Sequence, residues 1–328
     1  MRDHGGNLDG AIARFGGGAE DWIDLSTGIN RIPYPLPTLA PELWTTLPRQ
    51  SRVDALIAAA RGAYGTAAPI LSLAGAQGAI QLIPHLAPPS RARVLAPTYN
   101  EHAGALRAAG WQVEEVATID ALAGADLAVV VNPNNPDGQS WPPEALRALI
   151  GRVGRLVVDE SFGDIDPDLS LAAECGAPGL IVLRSFGKFY GLAGLRLGFA
   201  LGPEADLARM AAMAGPWPVP GPALEIGRVA LADRAWAAAT RARLAAGATR
   251  MDALARSAGW HPLGGTPLFR LYDTPDAGAA QAALAQGRIW SRIFPYIPRW
   301  IRLGPPGEAR EWHRFTAVME EIGHAVQR

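Results

Sequence analysis

The sequence predicts an α/β fold: a large domain with a mostly parallel sheet flanked by helices, followed by a small α+β domain. Three observations carry this expectation. Between residues 69 and 201, short aliphatic runs alternate with helical patterns, the order a parallel sheet requires because each strand must return across the sheet. A proline-rich breaker at residues 215–222 then ends the alternation, since proline cannot sustain a helix. Beyond it come a long helical pattern and three further apolar runs of strand length.

Taken in order, residues 1–40 are rich in Gly, Pro and Asn and read as an ordered arm. The large domain is expected over 41–222, and a linking helix plus the small domain over 223–328. The arm contains His4-Gly-Gly-Asn7 and Asp24-Leu-Ser-Thr-Gly28-Ile-Asn30, where the ordinary reading is turn chemistry, because Gly and Asn tolerate left-handed backbone. A helix is predicted over 53–64. A strand over 69–73 enters Gly75-Ala76-Gln77-Gly78, which opens a helix running to 86. Strands at 93–96, 111–116 and 126–131 follow with helices between them, then strands at 156–158, 180–183 and 195–201 and a helix at 204–213. The long helical pattern covers 223 to about 258. Strands near 268–272, 288–294 and 300–303 and helices at 277–286 and 308–326 complete the small domain.

Composition narrows the functional classes. The 328 residues suffice for one large core and a smaller one, and a formal charge of -1 gives no footprint for nucleic acid or an anionic membrane. The single cysteine, Cys175, can form no intrachain disulfide and belongs to no metal-spaced cluster. No stretch approaches the roughly 20 apolar residues of a membrane span, and Met-Arg-Asp-His-Gly-Gly-Asn lacks the apolar core of a secretory signal. A cytoplasmic location is expected.

In sheets of this kind, ligands sit beyond the carboxyl ends of the strands. Tyr99, Asn135, Asp159 and Lys188 all fall just past predicted strand ends. The Gly75-Ala76-Gln77 turn joins a strand to a helix start, where unpaired N–H groups and the helix dipole make an anion site. Its Ala76 and Gln77 backbones are candidates to cradle a phosphate. A loop lysine is ordinarily solvated, but an amine held partly desolvated beside other cations serves as a Schiff-base lysine. Lys188 has Arg196 eight residues downstream.

Ser185-x-x-Lys188, followed by Gly191-Leu-Ala-Gly194-x-Arg196-x-Gly198-Phe199, resembles the cofactor-lysine motif of the fold-type I pyridoxal-phosphate (PLP) enzymes, the class I/II aminotransferase family with its aspartate aminotransferase-like fold. Gly-Ala-Gln, Pro-Thr-Tyr, Asn-Pro-Asn-Asn-Pro-Asp-Gly and Asp-Glu-Ser-Phe precede it in the family's order. The resemblance implies PLP as cofactor, Lys188 as its anchor, Asp159 as partner of the pyridine nitrogen, Asn135 as donor to the ring oxygen and Tyr99 stacked on the ring. It gives the cofactor phosphate to Ala76, Gln77, Ser185 and Arg196. Two departures stand out: Phe162 replaces a tyrosine common in relatives, and Gly187 replaces a hydroxyl residue before the lysine.

Arg302, in Trp-Ile-Arg-Leu-Gly, resembles the arginine that grips the substrate carboxylate, and Arg292 lies upstream in Trp-Ser-Arg-Ile-Phe. The arm motifs resemble the opening of the threonine-phosphate decarboxylase family of cobalamin biosynthesis. That likeness assigns His4, Asn7 and Arg292 to a substrate phosphate and Asn30 and Arg302 to the carboxylate end, with Gly28 also among the substrate-binding residues. It implies decarboxylation of threonine phosphate to aminopropanol phosphate by a homodimer. The alternatives are an aminotransferase related to those acting on histidinol phosphate, which would use the same cofactor residues, and a non-catalytic corrin-pathway protein retaining the fold.

Overall fold

A computed structural model describes residues 4–326. The chain forms two compact units, one of residues 34–135 and 139–237 (the large unit), the other of residues 4–33, 136–138 and 238–326 (the small unit). These divisions differ from the expected boundaries at 40 and 222. The arm forms strand β1 (Ile23–Asp24), which pairs within the small unit. Helix Gly221–Ala232, read from sequence as the start of the linking helix, packs on helix Gln50–Tyr64 of the large unit.

The large unit is built on strands β2 (Ile70–Ala74), β3 (Arg91–Leu95), β4 (Gln112–Val116), β5 (Leu127–Val131), β6 (Leu156–Asp159), β7 (Leu180–Ser185) and β8 (Leu197–Leu201). They form one sheet in the order β2-β8-β7-β6-β5-β3-β4. Every pairing is parallel except those of β8, which runs against both neighbours. Strands covered on both faces read as continuous apolar runs, and Leu127-Ala-Val-Val-Val131 is buried at every position. One face packs Leu73, Val94, Val129, Val157 and Ile181 against Ile80 and Ile83 of the helical segment after β2 and against Leu106 and Met210.

This topology gathers the carboxyl ends of β2, β3, β5, β6 and β7 along one edge. Because β8 is reversed, its beginning lies at that same edge, which brings Arg196 to the loops that leave the other strands. Behind the lysine segment, Tyr190 stacks between Phe186 (4.4 Å between ring centroids) and Trp236 (5.5 Å), with Tyr34 edge-on to both Tyr190 and Trp236.

The small unit contains β9 (His261–Thr266), β10 (Phe269–Asp273), β11 (Ile289–Trp290), β12 (Arg292–Phe294) and β13 (Ile297–Leu303). An antiparallel sheet runs β12-β13-β10-β9, and β1 pairs in parallel with β11. Trp260, Tyr272, Leu284, Ile301 and Phe315 fill its core. The helix expected from 223 to 258 is two helices, Gly221–Ala232 and Arg234–Ser257. They part at Asp233, whose Oδ1 accepts the backbone N–H of Trp236 at 2.9 Å and so caps the second helix. Among the described residues, no helix is long and apolar enough to cross a membrane.

Candidate active site

A cavity lies at the carboxyl edge of the large sheet. The structure brings into its wall all eight residues expected to hold the cofactor: Ala76, Gln77, Tyr99, Asn135, Asp159, Ser185, Lys188 and Arg196. Each follows the carboxyl end of a strand or closes it, except Arg196, which immediately precedes the reversed β8.

Gly75 opens helix Gly75–Leu82 with φ +75°, a conformation that favours glycine, and a Cβ there would lie 2.8 Å from Nη2 of Arg196. The missing side chain thus lets a guanidinium close on the first turn of a helix. Arg196 itself takes a left-handed backbone, φ 54°, and its Nη1 donates to the Ala193 carbonyl at 3.2 Å. Converging N–H groups, a helix dipole and this arginine form a cradle with the charge and shape for a phosphate dianion. Ser185 lines the same cavity at the end of β7.

Asp159 is 1% exposed. Its Oδ2 lies 2.7 Å from His102 Nε2, and its Oδ1 accepts the backbone N–H of Ser161 at 2.9 Å and the Ser161 hydroxyl at 2.5 Å. Burial alone would raise the carboxyl, but the hydrogen bond and charge of His102 and the two Ser161 donors outweigh it and hold Asp159 below the ordinary carboxylate range. A buried carboxylate kept ionised is suited to pair with a protonated ring nitrogen. His102 and Ser161 were not singled out from sequence. Ser161, two residues after an aspartate, carries the signal of an Asx turn. His102 lies three residues beyond Tyr99, at helical spacing.

Lys188 sits in a one-turn helix, Phe186–Phe189, where the sequence reading has a loop. Its Nζ lies 5.6 Å from the centroid of the Phe162 ring. Gly187 has a packing reason: a Cβ there would fall 2.7 Å from Cα of Ala193. Asn135 is positioned through its neighbour Asn134, whose Nδ2 donates to the Pro97 carbonyl at 3.0 Å while its Oδ1 accepts the Thr98 hydroxyl at 2.6 Å. The Tyr99 hydroxyl donates to Gln77 Oε1 at 3.4 Å.

The remaining expected residues belong to the small unit. Arg302, 6% exposed, stands opposite Arg292 in the β12–β13 register, and its Nη2 donates to the Ser26 carbonyl at 2.8 Å. Burial first, and then the like charge of Arg292, pull its pKa from 12.5 down to about 10. Ser26 also accepts the backbone N–H of Gly6 on its hydroxyl at 2.7 Å, so the start of the arm and Arg302 share one anchor. Asn30 and Gly28 are buried. Asn7 and His4 are exposed, and the Asn7 Oδ1 accepts the Gly10 N–H at 3.1 Å, capping helix Leu8–Phe15. Among the described residues there is no cluster that could hold a metal ion.

Comparison with known proteins places this geometry. Residues 50–316 match the family described as aminotransferase class I and II. A threonine-phosphate decarboxylase of Sinorhizobium sp is 45% identical over 97% of this chain and 98% of its own length. The threonine-phosphate decarboxylase of Pseudomonas aeruginosa is 44% identical over 97% of each chain. Among solved structures, the histidinol-phosphate aminotransferase of Sinorhizobium meliloti in complex with pyridoxal-5'-phosphate is similar in fold, with a TM-score of 0.80 at 20% identity, covering 97% of this chain and 94% of its own.

Proposed function

The chain belongs to the aminotransferase class I and II family, and we propose that within it the protein is a PLP-dependent lyase that decarboxylates L-threonine O-3-phosphate to (R)-1-amino-2-propanol phosphate and CO2. Cytoplasmic cobalamin synthesis is the setting this reading implies. The observation that carries the cofactor is the buried, ionised Asp159 in one cavity with Lys188 and the Gly75–Arg196 cradle. The reaction draws its support from the two decarboxylase relatives. The family match begins at residue 50, whereas the likeness to these relatives covers 97% of the chain and so takes in most of the arm.

When bound, PLP supplies an aldehyde that condenses with an amine and a ring that accepts electrons from the adjoining carbon. Lys188 provides the anchoring amine. Asp159, held by His102 and Ser161, keeps the ring nitrogen protonated, and Asn135 donates to the ring oxygen while Tyr99 covers a ring face. The backbones of Ala76 and Gln77, the Ser185 hydroxyl and Arg196 hold the phosphate. Among substrate contacts, Arg302 and Asn30 grip the carboxylate, Gly28 lies near Asn30 in the chain, and His4, Asn7 and Arg292 take the substrate phosphate. Lys188 returns a proton to the carbon that has lost its carboxylate.

The same reading includes a homodimer. Leu36, Trp44, Leu47 and Trp217 of the large unit are 65%, 68%, 63% and 55% exposed, apolar surface that a second copy would cover. Sedimentation of the protein at a twofold chain mass tests this. The decisive assay for the reaction incubates protein, PLP and threonine phosphate with no oxo acid. Release of CO2 is expected; turnover only when 2-oxoglutarate is added would assign an aminotransferase instead.

A further inference from the structure

One buried arginine of the large unit holds both ends of a turn. β6 closes at Asp159, and the chain then passes through Glu160, Ser161, Phe162 and Gly163 to Asp164. Nη1 of Arg184, on the neighbouring β7, donates to Oε2 of Glu160 at 2.8 Å, and its Nη2 donates to Oδ1 of Asp164 at 2.5 Å. All three side chains are buried. Gly163 makes room for the guanidinium, since a Cβ there would lie 2.9 Å from Nη1. Glu160 is fastened further by the Ser170 hydroxyl (2.5 Å, to Oε2) and the Leu171 N–H (2.7 Å, to Oε1), and the turn closes through the Gly163 N–H, which donates to the Glu160 carbonyl at 2.9 Å.

The clamp itself stays out of the cavity. Successive residues of a strand face opposite sides, so Asp159 and Ser185 line the cavity while Glu160 and Arg184, one position away, do not. What the turn presents to the cavity is its middle, Ser161 and Phe162. Both donors by which Ser161 holds Oδ1 of Asp159, the N–H and the hydroxyl, therefore sit between the two points that Arg184 grips. A buried ion cluster is a poor source of stability, because desolvation of each charge offsets the attraction. What a forked guanidinium adds is geometry, two contacts at fixed angles. Burial would lower the Arg184 guanidinium, but the charges of Asp164 and Glu160 outweigh it, so the clamp stays charged through the neutral range. Among the described residues, Tyr64, its ring centroid 4.4 Å from Cζ, and Cys175 are the other titratable groups that face the cluster, while Asp159 meets His102 and shares its cavity with Lys188 and Arg196.

We propose that Arg184 is a positioning residue for Asp159: by gripping Glu160 and Asp164 at the two ends of one turn, it aims the Ser161 donors at the Asp159 carboxylate. For its consequence in catalysis this rests on the reading of Asp159 as partner of the ring nitrogen. It goes beyond that reading by naming what holds the carboxylate's own partners in place. Losing those donors removes part of what keeps the carboxyl down, so Asp159 would take up a proton at higher pH.

The test follows the Asp159 carboxyl of the full chain across pH, by NMR of carboxyl-labelled aspartate, with the resonance assigned by its loss in Asp159→Asn. Arg184→Lys keeps the charge but not the fork, so it cannot hold both ends of the turn. It should raise the Asp159 midpoint by about one pH unit, the scale of one lost hydrogen bond to a charged group. Ser161→Ala should act in the same direction, and the double variant should shift the midpoint by less than the sum, because both changes bear on the same donors. In the PLP-loaded protein the acid limb of kcat should move the same way, with little change in KM for threonine phosphate. If Arg184→Lys does not fold, Glu160→Gln/Asp164→Asn/Arg184→Met, which removes the three charges together at similar volume, carries the test. A folded variant with an unmoved Asp159 midpoint, or a shift that adds fully to that of Ser161→Ala, would overturn the proposal. The carboxyl titration needs neither cofactor nor substrate, so it decides the proposal even where the CO2 assay assigns another reaction.

Discussion

Nε2 of His102 lies 2.7 Å from Oδ2 of Asp159, and both side chains are buried. The pairing fixes the protonation of Asp159, and its loss has a defined sign. The Asp159 carboxyl is lowered in the folded protein, so the stability it contributes is present above the ordinary carboxylate range and is lost as pH falls through the lowered value.

His102→Asn should therefore move the acid limb of activity and of thermal stability to higher pH. It should also reduce kcat by about ten- to a hundredfold, the scale of removing one partner of a buried charged hydrogen bond. A pH profile of kcat and melting temperature checks this. An unshifted acid limb would show that the two Ser161 donors suffice by themselves.

Phe162 makes a second prediction possible. With Nζ of Lys188 5.6 Å from its ring centroid, the aromatic face favours a positive charge on that nitrogen. Phe162→Leu keeps most of the buried volume and removes the π face. The pH at which the visible absorbance of the lysine-bound cofactor titrates should fall by about half a unit, the scale of one such contact. No change in that titration would place the ring too far away to matter.

Gly187 stands where relatives often carry a hydroxyl, yet restoring one should be harmful here. A Cβ at 187 meets the backbone of Ala193 at 2.7 Å, and that turn leads directly to Arg196. Gly187→Ser should cost about 1–3 kcal/mol through overpacking and weaken PLP binding by disturbing the lysine helix and the arginine together. Differential scanning calorimetry and a cofactor titration read the two effects separately. A tighter cofactor with unchanged stability would mean that the turn yields easily.

How much of this was legible beforehand depends on the length scale of each signal. The strand-end rule located Tyr99, Asn135, Asp159 and Lys188, because parallel strands leave the sheet on one side wherever they pair. Arg196 was legible as a cation close to Lys188 in sequence, but its place at the phosphate came only through the resemblance of its motif, since nothing in the run Leu197–Leu201 shows that β8 is antiparallel. His102 escaped notice because a buried histidine on a helix reads like any core position until its partner 57 residues away is known. The break at Asp233 was masked by alanine-rich periodicity on both sides. β1, two residues long, has no pattern of its own and exists through its pairing with β11. Contacts of high sequence separation wrote little into the local sequence; turn chemistry and apolar runs wrote most of the rest.

Arg302 supplies the last prediction, which concerns charge and not only shape. Burial and the neighbouring Arg292 bring its guanidinium down from 12.5 to about 10, so it remains charged throughout the neutral range. A lysine in the same place begins from an ordinary value near 10.4, and the same burial and like charge would carry it toward neutrality. Arg302→Lys should therefore bind threonine phosphate best at low pH, with KM rising as pH increases and the ammonium loses its proton, while the KM of the wild type stays flat over the same interval. It should also lack the two-pronged grip that a guanidinium offers a carboxylate, which raises KM at every pH. Measuring KM from pH 6 to 9 separates the two effects: a raised but pH-independent KM would leave geometry as the whole reason for arginine, and an unchanged KM would remove Arg302 from the carboxylate site.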